Sequence, residues 1–400
     1  MPDSSPAPHA LVIGGGVAGP ALALLLRRIG WTVDVFEARG GPSDEEGGFF
    51  NVAPNGVYVL RELGVAERLA AAGYHAEGIR FTNAKGREVG RIDSRDDKAR
   101  YGVENLMLKR AWLHRTLREA AEAAGAELLY NKRLASVRQA DGGVTAGFED
   151  GTTAEGDALF GCDGIWSGVR RSVFPEAPTP EFTGRVNGGG YAAVAPGVLE
   201  PYVQHMTFGR RAFFGAVARE DGEVWWFSNL AWDREPARGE LDAIPAEGWR
   251  QRLLEEHRSD PSPIPEIIRT ADEVWVSWPD YAMPDLETWH RGRVCLVGDA
   301  AHATPPHAGQ GASLALEDAV VLVRALRDEP TVEAAFRAYE AERKPRAEKL
   351  IAQARRTGSQ KAPGPVGAYV RDLFLPLFLK MGARQAAEAR AYRAEWVRAG

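Results

Sequence analysis

Two glycine-bearing turns, far apart in the sequence, constrain this chain more than any other feature. Near the start, the apolar run Ala10-Leu11-Val12-Ile13 enters Gly14-Gly15-Gly16-Val17-Ala18-Gly19. Much later, Val294-Cys295-Leu296-Val297 enters Gly298-Asp299-Ala300-Ala301-His302, then Pro305-Pro306-His307-Ala308-Gly309-Gln310-Gly311. Gly14, Gly16 and Gly19 match G-x-G-x-x-G. The first permits a tight turn, the second lets backbone approach a pyrophosphate, and the third lets a helix pack on a strand. Val17 and Ala18 lie where that helix begins, and its free amides and dipole favour a phosphate. Gly30 ends the helix and Trp31 to Glu37 reads as the next strand, completing a β-α-β unit. Glu37 stands at the offset where a carboxylate accepts from ribose hydroxyls, with Ala38 and Arg39 following on the same edge.

The second turn supplies what a nucleotide alone does not need. Asp299 follows a strand, so its carboxylate points into the crevice where ligands sit in open α/β sheets. There it can accept from the hydroxyls of a ribityl chain. Gly309 and Gly311 clear space beside a flat ring, and a helix starting near Ala312 aims its amides at that ring. Pyrophosphate, ribityl chain and ring together point to FAD, held non-covalently.

Size and composition narrow the class. Four hundred residues suggest two or three domains, and 44% hydrophobic with 26% charged residues is ordinary for a globular protein. A net charge of −6 leaves no basic surplus for nucleic acid. The two cysteines, Cys162 and Cys295, each end an apolar run and read as buried thiols. That argues against a disulfide scaffold and a metal site, and fits a cytoplasmic setting. No apolar stretch reaches membrane-spanning length, and Met1 to His9 does not read as a signal peptide.

The pattern predicts an α/β fold: a Rossmann-like FAD-binding domain with an inserted, mostly antiparallel β-sheet substrate domain and C-terminal helices. The FAD-binding domain is expected from residues 1–75, 101–180 and 286–345, the substrate domain from 76–100 and 181–285, and C-terminal helices from 346–400. The middle segment carries β-like runs at Tyr191–Ala195, Gln204–Phe208, Ala212–Ala218 and Val224–Asn229, and most of the tryptophans. Alternation sends Trp225 and Trp226 to opposite faces, so one of them can line a pocket. Phe214 and Trp226 are the candidate substrate contacts here, with Pro306 and His307 on the loop. His302 reads as a packed loop residue. A third cluster, Cys162-Asp163-Gly164-Ile165-Trp166-Ser167-Gly168-Val169-Arg170, follows a strand and reads by itself as a structural turn.

These three motifs, in this order, resemble the class A flavin-dependent aromatic monooxygenases of the para-hydroxybenzoate hydroxylase fold. The stretch from Gly298 to Gly311 is similar to that of the tetracycline-inactivating monooxygenases. The resemblance implies that Arg110 contacts FAD, that Asp299 binds its ribityl chain, and that Asp163-Gly164 is linked to both FAD and NAD(P)H. It places Asn51 near the flavin, the amides of Ala312 and Ser313 at its pyrimidine edge, and Pro306 and His307 between flavin and substrate. It implies that NAD(P)H reduces the flavin, that O2 forms a C4a-hydroperoxide, and that oxygen passes to an aromatic or polycyclic small molecule by hydroxylation or epoxidation. No protein nucleophile is then needed; His307 is the candidate base on a substrate hydroxyl. Two positions depart from the family. The acidic Ser43-Asp44-Glu45-Glu46 replaces a stretch that carries arginine in many relatives, and Ser313 replaces an asparagine. An FAD-dependent reductase of the same fold, or a flavin-binding protein without turnover, are the alternatives.

Overall fold

The computed structural model describes residues 6–42, 47–140, 142–305, 309–358 and 365–396. Its first layer is a six-stranded sheet in the order His290–Arg291, Val294–Leu296, Ala158–Gly161, His9–Ile13, Thr32–Phe36, Glu127–Leu129. All neighbours pair in parallel except the first two. Parallel strands are covered on both faces and so read as unbroken apolar runs; Ala10 to Val12, Ala158 to Phe160 and Val294 to Leu296 are fully buried. Leu22, Leu25 and Leu26 of the helix Ala18–Arg28 share their core with Leu316, Val320 and Val323 of the helix Gly311–Asp328. An antiparallel meander, Leu134–Ala140, Gly143–Phe148 and Thr153–Gly156, lies beside it.

The second layer is a seven-stranded sheet: Ala271–Ala282, Glu181–Ala193, Glu223–Ala231, Ala212–Ala218, Val203–Phe208, Gly78–Asn83, Glu88–Asp93. Its pairings are antiparallel except between Val203–Phe208 and Gly78–Asn83. The strand Glu181–Ala193 is far longer than the Tyr191–Ala195 run expected. Gly188-Gly189-Gly190 hides it, because glycine disfavours strands in isolation, yet ladders on both sides hold it extended.

Two helices that the sequence pattern did not reveal, Ala246–His257 and Ile264–Thr270, cover one face of this sheet. Under them Trp226 and Phe214 stack at 5.7 Å, packed with Trp249, Leu253, Ile267 and Ile268. The expectation that Phe214 and Trp226 line a substrate pocket is therefore corrected. Both side chains are almost fully buried in a sheet–helix core, on the face away from the cofactor motifs. The same core holds Ser228 Oγ 2.7 Å from His257 Nε2, with His257 Nδ1 2.7 Å from Asp260. This resembles a hydrolase triad, but Ser228 and His257 have no exposed surface. It ties sheet to helix.

A cluster of buried charges joins the last part of the chain to the first sheet. Arg343, from the helix Val332–Gly358, reaches Asp318 Oδ1 at 2.7 Å and Glu317 Oε2 at 2.6 Å. Asp318 Oδ2 accepts from the Gly298 amide at 3.0 Å and lies 2.5 Å from His302 Nε2. Glu317 also takes Asn55 Nδ2 at 2.7 Å and Arg346 at 2.8 Å. His302 is thus a member of this cluster, in the short helix Asp299–His302, and not merely a packed loop residue. Burial alone would raise the Asp318 pKa; His302 and Arg343 outweigh it and hold the carboxyl well below its usual range. A depressed carboxyl stabilises the fold above its unfolded value near 4, and that contribution fades as pH falls below it. Asp318→Asn is expected to cost about 3–5 kcal/mol, because Arg343 and His302 lose their buried counter-charge, and to flatten the acid limb of stability. Urea unfolding across pH measures both.

Candidate active site

The strand order places the three motifs side by side. Strands ending at Leu296, Gly161, Ile13 and Phe36 are successive neighbours, so the turns that follow share one edge of the sheet, where open α/β sheets bind ligands. Gly14 has φ +111°, and a Cβ there would stand 2.4 Å from the Cys162 carbonyl oxygen. A Cβ on Gly19 would stand 2.0 Å from the Gly14 carbonyl oxygen. A Cβ on Gly16 would meet nothing within 4 Å, so its backbone faces open space. At Gly298 a Cβ would lie 3.1 Å from the Ala315 methyl and 3.5 Å from that of Ala18, and its φ of +61° is what favours glycine there.

Asp163 acts first on its own turn. Its Oδ2 accepts from the amides of Gly168 at 2.7 Å and Val169 at 3.1 Å, while Oδ1 is buried without a partner. Burial raises its pKa against those hydrogen bonds. Gly164, φ +75°, completes the turn. The buried Arg170 then donates to the Ala300 carbonyl at 2.7 Å, bracing the second motif from the third.

At the Glu37 end lies a half-open recess lined by Gly15, Gly16, Glu37, Arg39, His114 and Tyr130 among others. Glu37 accepts from the Gly15 amide at 2.8 Å and the Arg39 amide at 2.9 Å. Each carboxylate oxygen keeps capacity for a further donor, so Glu37 can brace the turn and take ribose hydroxyls as well. Ala38 lies between those two anchors.

The other end is built around Arg110 and Asp299. Arg110 opens the helix Arg110–Ala123 and its amide donates to Gly48. Both side chains are open to solvent yet hemmed in by protein. Burial weighs against the charge of each, and each supports the other. A Cβ on Gly311 would lie 3.9 Å from Asp299 Oδ1, so the start of the helix Gly311–Asp328 adjoins that carboxylate. The amides of Gly311, Ala312 and Ser313 fall in its first turn, where no intrahelical acceptor exists. Ser313 Oγ packs where a Cβ of Gly56 would be, which explains why a small side chain stands there. Asn51 Oδ1 is buried without a partner. Gly309 has φ +60°. Pro306 and His307, and the acidic stretch 44–46, lie outside the described residues.

The face of the seven-stranded sheet opposite its helices turns toward these elements. Trp225 packs on Phe49, Tyr74 and Trp112, with ring centroids 5.0–6.0 Å apart. Phe227, on the same face, meets Phe49 at 6.2 Å. Phe49 is two residues from Asn51 in the strand Phe49–Val52, so the face continues toward the flavin motifs. Registered with it are Asn187 and Asn229, opposite one another, and Phe213 and Met206. Asn229 Nδ2 donates to Asn187 Oδ1, and Asn187 Nδ2 is buried without a partner. Sequence reasoning missed Phe227, Asn187 and Asn229; alternation from Trp225 along one strand was the available signal for Phe227 and Asn229, whereas Asn187 is placed on this face only by its pairing with Asn229.

The residues present fit FAD. An open glycine turn and two arginines suit the pyrophosphate, Glu37 and Asp299 suit the two sugar-like chains, and free helix amides with an orphaned Asn51 suit the ring. Among the described residues no cluster of His, Cys, Asp and Glu could hold a metal ion.

His114 senses the positive field of this recess. Burial, Arg110 and Arg39 push its pKa down to about 3, against about 6.5 when unfolded. With the folded value depressed, stability is lost as pH falls from about 6.5 toward 3, because the unfolded chain takes the proton first. A bound pyrophosphate offsets the positive field. FAD-free protein should therefore lose Tm more steeply over that range than FAD-loaded protein, and His114→Gln should flatten the FAD-free curve. Calorimetry of both forms checks it.

Comparison with known proteins agrees with this geometry. A family model described as an FAD binding domain matches residues 8–354. The aurachin C monooxygenase/isomerase of Stigmatella aurantiaca is 30% identical over 349 residues, 87% of this chain and 88% of that protein. The 3-amino-4-hydroxybenzoate 2-monooxygenase of Streptomyces cremeus is 33% identical over 366 residues, 87% and 86% of the two chains. An HpxO variant from Klebsiella pneumoniae, solved with FAD, superposes with a TM-score of 0.80 at 25% identity, over 96% and 95% of the chains. The tetracycline destructase Tet(51) superposes at 0.65 and 20% identity over 96% of each, a likeness of fold. The chain belongs to the FAD-binding family of class A aromatic monooxygenases.

Proposed function

We propose that this enzyme uses NAD(P)H and O2 to oxygenate a flat aromatic or heteroaromatic small molecule held between the flavin and the Phe227 face of the seven-stranded sheet. The observation that carries the reading is that face: aromatic walls that meet Phe49 in the strand carrying Asn51, with one amide pair, Asn187 and Asn229, at its polar point. When bound, FAD supplies the hydride acceptance and oxygen transfer. The chain orients and shields. Phe227 and Met206, both only partly buried, offer apolar contact to a ring, and burial of that ring keeps water from the reacting atoms. The unpartnered Asn187 Nδ2 can donate to a carbonyl or hydroxyl oxygen and so fix which ring position faces the flavin. The relatives support the substrate class, since their names specify aurachin C and an aminohydroxybenzoate. Two buried free thiols suit a reducing, cytoplasmic setting. His307 keeps its sequence-based role as the proposed base.

The test is oxygen uptake with NAD(P)H across a panel of aromatic compounds. Stimulated uptake with an oxygenated product supports the reading. NAD(P)H oxidation that consumes no O2 while a double bond is reduced would favour the reductase alternative.

Two further outcomes are expected. Glu37→Ala and Asp299→Ala each lose charge-assisted hydrogen bonds to opposite ends of FAD, costing about 1.5–3 kcal/mol of affinity; FAD titration of each variant measures this, and unchanged affinity in both rejects the placement. Asn187→Leu should bind FAD normally but raise the substrate KM about 5- to 150-fold, since a lost hydrogen bond to substrate costs about 1–3 kcal/mol, and should divert reducing equivalents to hydrogen peroxide. Product formed per NAD(P)H consumed is the readout.

A further inference from the structure

The C-terminal helix, Pro365–Ala391, carries the largest concentration of exposed apolar side chains in the molecule. Ten large hydrophobic residues are exposed among the described residues, and seven of them lie on this helix: Tyr369, Val370, Leu373, Phe374, Leu377, Phe378 and Met381. They are not a frayed end. The inner side of the same helix is docked, with Leu375 and Leu379 packed against Val89, Phe81, Phe208 and Phe213. Arg371 covers the Phe208 ring at 4.2 Å, and Asp372 takes Asn83 Nδ2 at 2.8 Å. The helix is therefore seated on the last two strands of the seven-stranded sheet with its outer face uncovered.

We propose that this outer face pairs with the same face of a second copy of the chain, the two helices running antiparallel about a two-fold axis near residue 375. Three observations support the occupant. The first is size. With large side chains offering about 150–250 Å² each, exposures of 41–72% present on the order of 700 Å², close to the roughly 800 Å² per partner of a standard interface. The second is pattern. Tyr369, Leu373, Leu377 and Met381 repeat every four residues, the ridge that packs into the matching groove of a like helix. That row is symmetric about 375, so an antiparallel two-fold sets Tyr369 against Met381 and Leu373 against Leu377. A closed two-fold pair demands such self-complementarity. The third is charge. A membrane surface would call for a basic rim, but three of the helix's four cations are paired, Arg371 with Asp372, Arg384 with Glu388 and Arg390 with Asp97, which leaves Lys380 as its one cation without an ion pair among the described residues.

The inference is independent of the reaction and is tested on the FAD-loaded full chain. Sedimentation velocity should give about twice the 43.5 kDa of one chain. The double variant Leu373→Glu, Leu377→Glu should halve that mass while keeping its FAD and its near-ultraviolet dichroism, because neither side chain is part of the core. Orientation is read by disulfide trapping: Tyr369→Cys mixed with Met381→Cys should cross-link in the mixture and not singly, and the buried Cys162 and Cys295 should not compete. A monomeric parent, a dimer that survives the double variant, a monomer that floats with phosphatidylglycerol vesicles, or cross-linking of Tyr369→Cys to itself would each overturn the proposal.

Discussion

The arrangement of the cofactor site depends on one buried arginine. Arg343 holds Asp318 and Glu317, adjacent residues of one helix, with a different nitrogen for each. Through Asp318 it holds the Gly298 amide and His302, and through Glu317 it holds Asn55. The front of this cluster is Asp299 and the amides of the Gly311 turn. Taking charges out of water is costly, and removing one partner leaves the others buried and unpaired. The cluster therefore has essentially one arrangement, and that arrangement sets where Asp299 and the helix start stand relative to the Gly14 turn. A purely apolar contact between the same helices would tolerate small slips; a network with each carboxylate oxygen committed does not.

The same logic explains why the three motifs work as one. Their strands are neighbours, but adjacency alone leaves the loops free to move. Gly14 lies against the backbone of Cys162 and Asp163 with no room for a Cβ. Arg170 ties the Asp163 turn to Ala300, and Gly298 packs on Ala18. The glycines are required where backbone meets backbone, and the charged residues are required where a loop must be held in register. Gly16, Arg110 and Asp299 line the edge where these turns converge, and their chemistry suits the phosphates and the polyol chain of FAD.

How much of this was legible in the sequence follows from how local each constraint is. The glycine turns, Glu37 and Asp299 were readable because a strand end followed by a special backbone conformation is written within a few residues. The charge cluster left a readable trace that went unused: Glu317-Asp318 interrupts the apolar run from Leu314 to Val323, which two solvated acids would not do. The substrate face was legible only in part. Alternation separates Trp225 from Trp226, but which of them faces the cofactor depends on what covers the other side. That cover is the helices Ala246–His257 and Ile264–Thr270, whose buried residues are few (Trp249, Leu253 and His257 in the first) and so leave a weak pattern.

Ser228, His257 and Asp260 illustrate the limit of geometry as an argument for chemistry. Their distances match those of a nucleophile, base and orienting acid, yet the hydroxyl is sealed beneath Phe214 and Trp226. A nucleophile requires a position about 3 Å away where a reacting atom can sit, and here that position is filled by protein. What the trio does instead is satisfy three buried polar groups with one another, which is the condition for burying them at all. The contrast with Asn187 and Asp163 is direct. Each of those keeps one buried polar atom unsatisfied on the side where the cofactor motifs converge. Trp226 Nε1, in the same core as the triad, is also buried without a partner, so an unsatisfied atom marks a ligand site only where, as at Asn51 and Asp163, the turns that would hold the cofactor also converge.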